Sequence, residues 1–330
     1  MSHTERKGLE LAALRGDLSL PGEDGWREVG TVGGLYIYPV KSMAAQPVAS
    51  FSVCETGARA GLLQDRQLMV VDRRGNMITA RRYPSMVLIR PSFSTTHLTL
   101  SYPDLADLSL EVSALVEGEK VTVTVWGEEC EGVECEAEDG RVSAWLTSVI
   151  LGREGREVRL VCHQAGVSRP PKQDNKYLYP LQHRDKDRPL YADGYPYLLL
   201  SQPSIDQLNT VLQEAGFQLR VEETRFRPNI LVTGEFPAFS EDKWVHVKIR
   251  DSIFRNVKLC TRCNYTTVDP STGEKHSGGE PLKTLKTFRS SLDEVERKEY
   301  GTSPFFGVNL GVEVGGEISV GDPVWISSGL

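Results

Sequence analysis

The sequence predicts a β-rich α+β protein with two domains of barrel type, the first barrel-like and the second a β-barrel. Short segments with alternating apolar and polar residues recur along the chain, as in Leu98–Ser101 and Lys120–Trp126. This period is typical of half-buried antiparallel strands. Few segments have the apolar spacing of a helix, and Val142–Leu151 is the clearest of them. A chain of 330 residues is long enough for two domains with ample cores.

The composition is that of an ordinary soluble globular protein, with 39% hydrophobic and 25% charged residues. The net charge of -7 argues against nucleic acid as a partner, because phosphate binding needs a concentrated basic face. No segment approaches the roughly 18 apolar residues of a membrane span, and the N-terminus has no apolar core resembling a signal peptide. Six cysteines in so long a chain do not suggest a disulfide scaffold, so we expect a reducing compartment and a cytoplasmic location.

The first half of the chain is predicted to consist mainly of short strands. Residues 1–28 are expected to form a flexible extension. Ordered structure begins at Val29–Pro39, a strand that a proline closes. The apolar segments Leu68–Val71 and Met77–Thr79 flank Asp72–Asn76, whose composition is that of a hairpin turn.

A polar tract without periodicity, residues 164–188, indicates a loop or a domain junction. We therefore assign an N-terminal domain to residues 29–165 and a C-terminal domain to residues 166–330. In the second half, Ser201-Gln202-Pro203 opens a helix that ends at Gly216. The other predicted elements are strands at 197–200, 229–232 and 244–249, a charged helix at 291–299, and glycine-punctuated strands between 313 and 326.

The segment Lys258–Pro270 brings two thiols and a guanidinium to the end of a predicted strand. A thiol beside a fixed positive charge is stabilised as the thiolate, which is a nucleophile and a soft metal ligand. Cys260 and Cys263 are compatible with half of a zinc site, a dithiol redox pair, or one cofactor ligand beside a packed thiol. Two inert buried cysteines are a fourth reading, and spacing alone does not decide. The β-prone residues 264–268 disfavour the redox pair, because that motif normally opens a helix.

Four basic residues lie at predicted strand ends or turns instead of on a solvated helix face: Lys41, Arg66, Arg227 and Arg262. Arginine binds phosphate or carboxylate through two hydrogen bonds, and lysine adds a point charge. Each residue alone is compatible with an exposed charge at a turn. Together they are compatible with a small anionic ligand in a cleft. Gly278-Gly279 opens no predicted helix, so we expect no glycine-rich phosphate loop.

Seven short motifs follow one another along the chain: Val29-Gly30-Thr31-Val32 through Tyr38-Pro39-Val40-Lys41-Ser42, Asp65-Arg66, Asn76 to Arg81, Phe226-Arg227-Pro228-Asn229, Cys263 to Gly273, Glu280 to Lys286, and Val320 to Val324. In this order they resemble the MOSC proteins, and most closely the mitochondrial amidoxime-reducing components. The resemblance extends from about Val29 to the C-terminus. Each motif is weak alone, but seven in order are specific.

The resemblance implies a molybdenum enzyme with a molybdopterin cofactor (molybdenum-molybdopterin) in the cleft between the domains. One cysteine thiolate binds the metal in that family, and Cys263 is the matching residue. The chain departs from the family at Gly194-Tyr195, where Thr-Ser is frequent, and at Asn309, where the family has tyrosine. The positions that match cofactor-binding residues of the family are Lys41, Ser42, Arg66, Gly194, Tyr195, Arg227, Asn229, Thr261, Arg262 and Asn309.

The implied activity is the reduction of N-hydroxylated compounds, amidoximes and hydroxylamines, to amidines or amines. The implied electron donors are cytochrome b5 and its NADH-dependent reductase. The alternative is a molybdenum-cofactor carrier without turnover of its own. A cofactor sulfurase would need a pyridoxal-phosphate domain, for which the chain has no room. Pyridoxal phosphate binding and nitrate reduction are further associations at the level of the family.

The resemblance also bears on location. Vertebrate relatives carry an apolar outer-membrane anchor before the first conserved strand, whereas residues 1–28 contain no such segment. We therefore expect a soluble chain without a membrane span. The mitochondrial outer membrane is the alternative location that the resemblance implies.

Overall fold

The computed structural model describes residues 20–137, 139–164, 184, 186–291, 297–298 and 300–328. These residues form strands and three α-helices, and the predicted β-rich α+β class is confirmed. The strands of the first half are β1 (Arg27–Ile37), β2 (Gln46–Val48), β3 (Ser50–Cys54), β4 (Gly57–Ala60), β5 (Leu63–Gln64), β6 (Leu68–Asp72), β7 (Arg90–Phe93), β8 (His97–Ser101), β9 (Leu108–Glu111), β10 (Lys120–Val125), β11 (Glu128–Glu134) and β12 (Val158–His163). Those of the second half are β13 (Tyr197–Ser201), β14 (Ile230–Thr233), β15 (Trp244–Ile249), β16 (Ser252–Thr261), β17 (Phe305–Val314), β18 (Gly316–Ser319) and β19 (Pro323–Ser328). The helices are α1 (Arg141–Leu151), α2 (Gln202–Glu214) and α3 (Leu282–Arg289).

A closed β-barrel occupies the second half of the described chain. Its strands follow the order β14-β13-β17-β16-β15-β19-β1, and pairing between β1 and β14 closes the ring. All neighbours are antiparallel except β13 and β14. Although β1 comes from the N-terminal sequence, it completes this barrel, and β3 pairs with β18. Sheets therefore connect the two halves of the chain, while the domain boundary predicted near residue 165 falls outside the described residues.

The long strand β1 changes partner along its length, from β19 to β14 and then to β2. Val32, Leu35 and Ile37 are buried in the barrel core. At Gly30 a Cβ atom would lie 2.0 Å from the carbonyl oxygen of Thr233. Only glycine fits where two backbones approach so closely, so this residue permits the change of partner.

Three further sheets cover the rest of the first half, in the orders β10-β11-β12-β6, β18-β3-β4-β5 and β7-β8-β9. Helix α1 packs beside β12, and its buried face joins Leu68, Leu100 and Leu160 in one apolar cluster. A second cluster fills the barrel, and a third lies beneath α2 and α3. The turns of the first half thereby come to lie against one end of the barrel, where the site is found.

Most predicted elements lie where the sequence placed them, including β1, β6, β8, β10, α1, β13 and α2. The predicted start of α2 is confirmed, and the Ser201 side chain accepts a hydrogen bond there from the Ser204 backbone N–H. The second arm of the predicted hairpin is reduced to one bridge between Val71 and Met77. The extension up to residue 19 and most of the helix predicted at 291–299 lie outside the described residues.

Two expectations about the second half were wrong. Helix α3 follows shortly after Gly278-Gly279, and Leu285 on its buried face packs into the third apolar cluster, since so short a helix depends on packing for its stability. Residues Asn264–Thr267 form a short 3₁₀ helix instead of a strand. There the hydroxyls of Thr266 and Thr267 donate to the carbonyls of Cys263 and Asn264, at 2.9 and 2.7 Å, and so stabilise the turn.

Candidate functional site

A cavity of about 460 Å³ lies between the barrel end and the turns of the first half. Every residue that the sequence singled out as a site residue lines it. From the first half come Lys41, Ser42 and Arg66, and from the second half Gly194, Tyr195, Arg227, Asn229, Thr261, Arg262, Cys263 and Asn309.

The backbone around the cavity is unusually strained. Seven described residues other than glycine have positive φ: Ser42, Arg66, Asp104, Trp126, Arg227, Phe239 and Arg250. Four of these seven, namely Ser42, Arg66, Trp126 and Arg227, line the cavity. Strained backbone of this kind concentrates at functional sites, where the surrounding fold holds side chains in required positions. The clustering is therefore an argument for function that does not depend on any motif.

Two arginines, Arg66 and Arg227, lie over one tyrosine ring, and we call them the stacked arginines. Their guanidinium carbons lie 4.3 and 4.1 Å from the ring centroid of Tyr38. Arg66 is held by Asp65 and donates to the Arg227 carbonyl at 3.1 Å. Burial lowers the pKa of Arg66, but Asp65, Tyr38 and Asp193 together raise it more, so the pKa lies above its ordinary value and the charge persists. Two guanidinium groups therefore share one small region of the cavity wall.

The same wall, and the Tyr38 ring under the stacked arginines, contain buried polar atoms without a hydrogen-bond partner among the described residues. They are the hydroxyl of Tyr38, Nε of Arg225 and Nη2 of Arg227. Burial raises the pKa of Tyr38 far above its ordinary value, more than the two arginines lower it, so the hydroxyl keeps its proton. A buried donor without an acceptor is costly, and native proteins rarely keep one without a reason. An anionic ligand in the cavity would supply the missing acceptors.

Two other arginines of the cavity wall, Arg225 and Arg262, hold the fold together, and we call them the bracing arginines. Arg262 donates from Nε and Nη2 to the Phe306 carbonyl, at 2.8 and 2.6 Å, and from Nη1 to the Phe226 carbonyl at 2.8 Å. Arg225 donates to the Val268 carbonyl at 2.9 Å and to Asp269 at 2.6 Å. These bonds fasten the end of β16 to its neighbours, on both sides of the residue Cys263.

The two thiols at the end of β16 both line the cavity. Cys263 is half-buried and directly precedes the short 3₁₀ helix. Cys260 is half-buried near the end of β16. The Cys260 thiol lies 3.7 Å from the Thr261 carbonyl oxygen. Among the residues that the structure describes, no group of three or more His, Cys, Asp and Glu side chains is arranged to hold a metal ion.

One acidic side chain, Asp193, lines the cavity opposite a group of first-half residues. Its Oδ1 accepts from Nζ of Lys41 and from the indole Nε1 of Trp126, the latter at 2.9 Å. Nη2 of Arg81 lies 3.6 Å from Oδ2. Desolvation raises the pKa of Asp193, but Lys41, Arg81 and the Trp126 hydrogen bond lower it more, so the pKa lies well below its ordinary value. The carboxylate is therefore ionised at neutral pH.

The remaining singled-out residues serve the cavity in different ways. Asn229 is buried and joins three segments: its amide donates to the Tyr36 carbonyl at 3.2 Å and accepts from the Leu198 N–H at 3.1 Å. A Cβ atom added at Gly194 would meet no atom within 4 Å, so the departure from Thr leaves open space there. Asn309 lies on β17, paired with Leu198 of β13.

Some lining residues were not singled out from the sequence: Thr79, Arg81, Trp126, Asp193, Arg225 and Lys258. Arg81 ends one of the seven motifs, so its position was available as a signal. Trp126 ends a predicted strand, but nothing local indicates that this strand end points into the cleft. With these additions the described lining contains seven basic residues and one acidic residue, in a chain whose net charge is -7. The cavity therefore attracts anions.

Comparisons with known proteins identify the family. The model of the MOSC N-terminal beta barrel domain matches residues 29–153, and the MOSC domain model matches residues 186–325. The chain belongs to the MOSC family. Three relatives of this MOSC protein are Mitochondrial amidoxime-reducing component 1 of Homo sapiens, at 39% identity over 91% of this chain and 84% of the relative, its counterpart in Xenopus laevis, at 36% over 91% and 82%, and Mitochondrial amidoxime reducing component 2 of Rattus norvegicus, at 35% over 91% and 84%.

The resemblance read from the seven motifs is thereby confirmed at the level of the family. The names of these relatives contain the words amidoxime-reducing and mitochondrial. Neither those names nor the family descriptions mention pyridoxal phosphate or nitrate, and we propose neither for this MOSC protein. No helix in the described part of the chain is both long enough and apolar enough to cross a membrane.

Proposed function

We propose that this MOSC protein is a molybdenum-cofactor-dependent reductase of N-hydroxylated compounds, amidoximes and hydroxylamines. The observation that carries the proposal is the pairing of a cavity thiol, Cys263, with a cation-rich wall whose buried donors lack acceptors. A phosphate-bearing cofactor with a soft metal needs both features, because the phosphate needs donors and the metal needs sulfur. The residues present therefore fit the cofactor that the family resemblance implies.

In this proposal, different residues bind different parts of the cofactor. Cys263 supplies the protein thiolate for the metal. The stacked arginines and Lys41 supply charge and donors for the phosphate, and Ser42 and Asn229 contribute beside them. Thr261, Gly194, Tyr195 and Asn309 complete the cavity surface. Arg262 acts by position, because its side chain is committed to backbone carbonyls.

When bound, the molybdenum cofactor supplies two-electron reduction together with acceptance of an oxygen atom. The overall change is balanced: an amidoxime takes up two electrons and two protons, its N–O bond breaks, and an amidine and water result. Asp193 cannot donate one of these protons at neutral pH, because its pKa lies well below the ordinary range. The half-buried cavity restricts water around Cys263, and the bracing arginines fix the backbone on which this thiol sits.

The electrons come in this proposal from cytochrome b5 and its NADH-dependent reductase. This assignment is taken from the family resemblance. The net charge of -7 would repel an equally acidic haem protein, so docking would have to use a local basic surface. High ionic strength should then slow the electron supply without changing the cofactor content.

The test compares two readouts on purified protein: molybdenum content, and reduction of benzamidoxime with cytochrome b5, its reductase and NADH. A reductase binds molybdenum and forms benzamidine at the expense of NADH. Molybdenum without benzamidine formation would instead support the alternative, a cofactor carrier. Absence of both after expression in a cofactor-producing host would contradict the proposal. A chemical reductant in place of the cytochrome separates failure of the partner from failure of the enzyme.

We propose a cytoplasmic location for this chain, against the mitochondrial location in the names of its relatives. The proposal rests on the six cysteines, which are all free thiols, as expected in a reducing compartment. Cell fractionation without detergent tests it. Recovery in the supernatant is expected, and recovery with the mitochondrial outer membrane would contradict it.

A further inference from the structure

On its partly exposed side the cavity contains a planar cation, the guanidinium group of Arg81. The guanidinium carbon of Arg81 lies 4.4 Å from the ring centroid of Trp126, and Nη2 lies 3.6 Å from Oδ2 of Asp193. The contact with Asp193 is longer than a hydrogen bond, although an arginine has five N–H groups to donate. The Arg81 side chain is 32% exposed, so it can move away at little cost.

The carboxylate that faces Arg81 is held in place by other residues. Oδ1 of Asp193 accepts from Nζ of Lys41 and from Nε1 of Trp126, which fixes the plane of the group. Oδ2 is left with Arg81 at 3.6 Å. Asp193 is also the one acidic side chain in the described lining of a cavity with seven basic residues. An isolated carboxylate with one oriented, loosely occupied oxygen is suited to bind a ligand N–H.

Trp126, the aromatic residue of this arrangement, has a strained backbone conformation. Trp126 and Gly127 form the two-residue turn between the paired residues Val125 and Glu128, with φ of +55° and +86°. Such turns favour Asn-Gly, and a bulky residue at positive φ is an outlier. The strained residue lines the cavity. This choice of residue indicates a role for the indole in the cavity.

We propose that Asp193 and Trp126 form the subsite for the N–C–N end of the substrate, and that Arg81 occupies it until substrate displaces it. The ligand class is a planar amidine-type group, as in an amidoxime or its amidine product. Such a group has the shape of a guanidinium, so it can stack on Trp126 and donate to Oδ2 of Asp193 as Arg81 does now. This inference rests on the proposed reductase function, because it names the residues that would recognise that substrate.

The experiment measures benzamidine binding to the purified full-length protein, with its cofactor, by titration calorimetry. Arg81→Gln removes the competing cation, and Arg82→Gln is the matched control, since Arg82 is the exposed neighbour outside the cavity lining. An exposed ion pair and a cation–π contact each contribute little, so R81Q should bind benzamidine about tenfold more tightly, and R82Q like the wild type.

Asp193→Asn keeps the acceptor for Trp126 but removes the charge. It should weaken benzamidine binding by about tenfold or more, and in the R81Q/D193N double variant the gain from R81Q should disappear. Equal or weaker binding by R81Q than by R82Q would overturn the subsite, and so would a gain that persists in the double variant. If D193N fails to fold, the comparison of R81Q with R82Q decides alone.

Molybdenum content and benzamidoxime reduction, measured on the same preparations, keep the two proposals apart. Reductase activity with no difference in benzamidine binding between R81Q and R82Q would overturn the subsite and leave the proposed function standing. Benzamidine binding that follows Arg81 and Asp193, in a protein without molybdenum or reductase activity, would support the subsite and contradict the proposed function.

Discussion

The bracing and the stacked arginines border the same cavity but use their guanidinium groups in opposite ways. Arg262 directs its nitrogens at two backbone carbonyls, and Arg225 directs its terminal nitrogens at carbonyls and Asp269. The stacked pair lies over the ring of Tyr38, and Nη2 of Arg227 has no partner among the described residues. The bracing pair holds backbone segments together, whereas we propose that the stacked pair also binds the phosphate of the cofactor.

The difference shows why a basic residue at a strand end is ambiguous in a sequence. Arg262 and Arg227 both match cofactor-binding positions of the family, yet only Arg227 has a donor left over. Two neighbouring guanidinium groups repel each other, and among the described residues Asp65 forms an ion pair with Arg66 only. An anion bound beside Arg227 would therefore lower the electrostatic energy of the pair. The variants below separate the two kinds of arginine by measuring stability and cofactor content together.

The largest effect on stability is expected for Arg262→Gln. The substitution leaves the carbonyls of Phe306 and Phe226 without their charged donor, and each buried unsatisfied carbonyl costs about 1–3 kcal/mol. The free energy of unfolding should fall by about 3 kcal/mol or more, measured by urea denaturation of metal-free protein. A loss as small as that of Arg82→Gln would show that Arg262 does not brace the fold.

Arg227→Gln should show the reverse pattern. It removes donors to the Met43 carbonyl and the Tyr265 hydroxyl, so unfolding should change by about 1–2 kcal/mol. A charge-assisted bond to a partly buried phosphate contributes about 1.5–3 kcal/mol, so the molybdenum content should fall by about tenfold or more. Unchanged metal content at subsaturating cofactor would remove Arg227 from the cofactor site, and Arg82→Gln serves again as the control.

Tyr38→Phe removes a buried hydroxyl that has no partner among the described residues. Metal-free protein should become more stable by about 1 kcal/mol, because the cost of desolvating the hydroxyl disappears. Holoprotein should gain less, since the hydroxyl is then expected to have an acceptor. Thermal unfolding of both forms measures the difference, and an equal gain in both would mean that the hydroxyl does not contact the ligand.

The smallest effect concerns acid stability. Burial raises the pKa of Asp269, but bonds from Ser271 and the charge of Arg225 lower it more, so the folded pKa lies below the ordinary 3.8. The contribution of Asp269 to stability is therefore fully present above the ordinary pKa of 3.8, and it is lost as the pH falls through the lower folded pKa. Asp269→Asn should flatten the decline in unfolding free energy between about pH 5 and pH 3. Arg227→Gln should keep the wild-type slope, because no described carboxylate pairs with Arg227.

Much of the fold was predictable because its signals are local. Alternation marks β8 and β10, an apolar run marks β6, and Ser201-Gln202-Pro203 marks the start of α2. Helix α3 was missed because its stability comes from tertiary packing. The 3₁₀ turn after Cys263 was missed because threonine hydroxyls bonded to carbonyls override the strand preference of Thr266 and Thr267.

The site residues could be predicted only from the seven ordered motifs and the family resemblance that they support. They indicated Lys41, Arg66 and Arg227, which line one cavity in the structure. They could not separate bracing from stacked arginines, since that depends on which carbonyls lie within reach after folding. Nor could they indicate Trp126 and Asp193. These residues are 67 positions apart in the sequence, and their contact depends on the β10–β11 turn lying against the barrel.

The most direct test of the account is the molybdenum content of protein with one cavity thiol removed. Cys263→Ala and Cys260→Ala are matched variants, because both thiols are half-buried and line the same cavity. After purification from a cofactor-producing host, Cys260→Ala should retain most of the wild-type metal and Cys263→Ala almost none. Equal loss from both variants would indicate a paired thiol site, and full retention by Cys263→Ala would contradict the central claim that this thiol binds the metal.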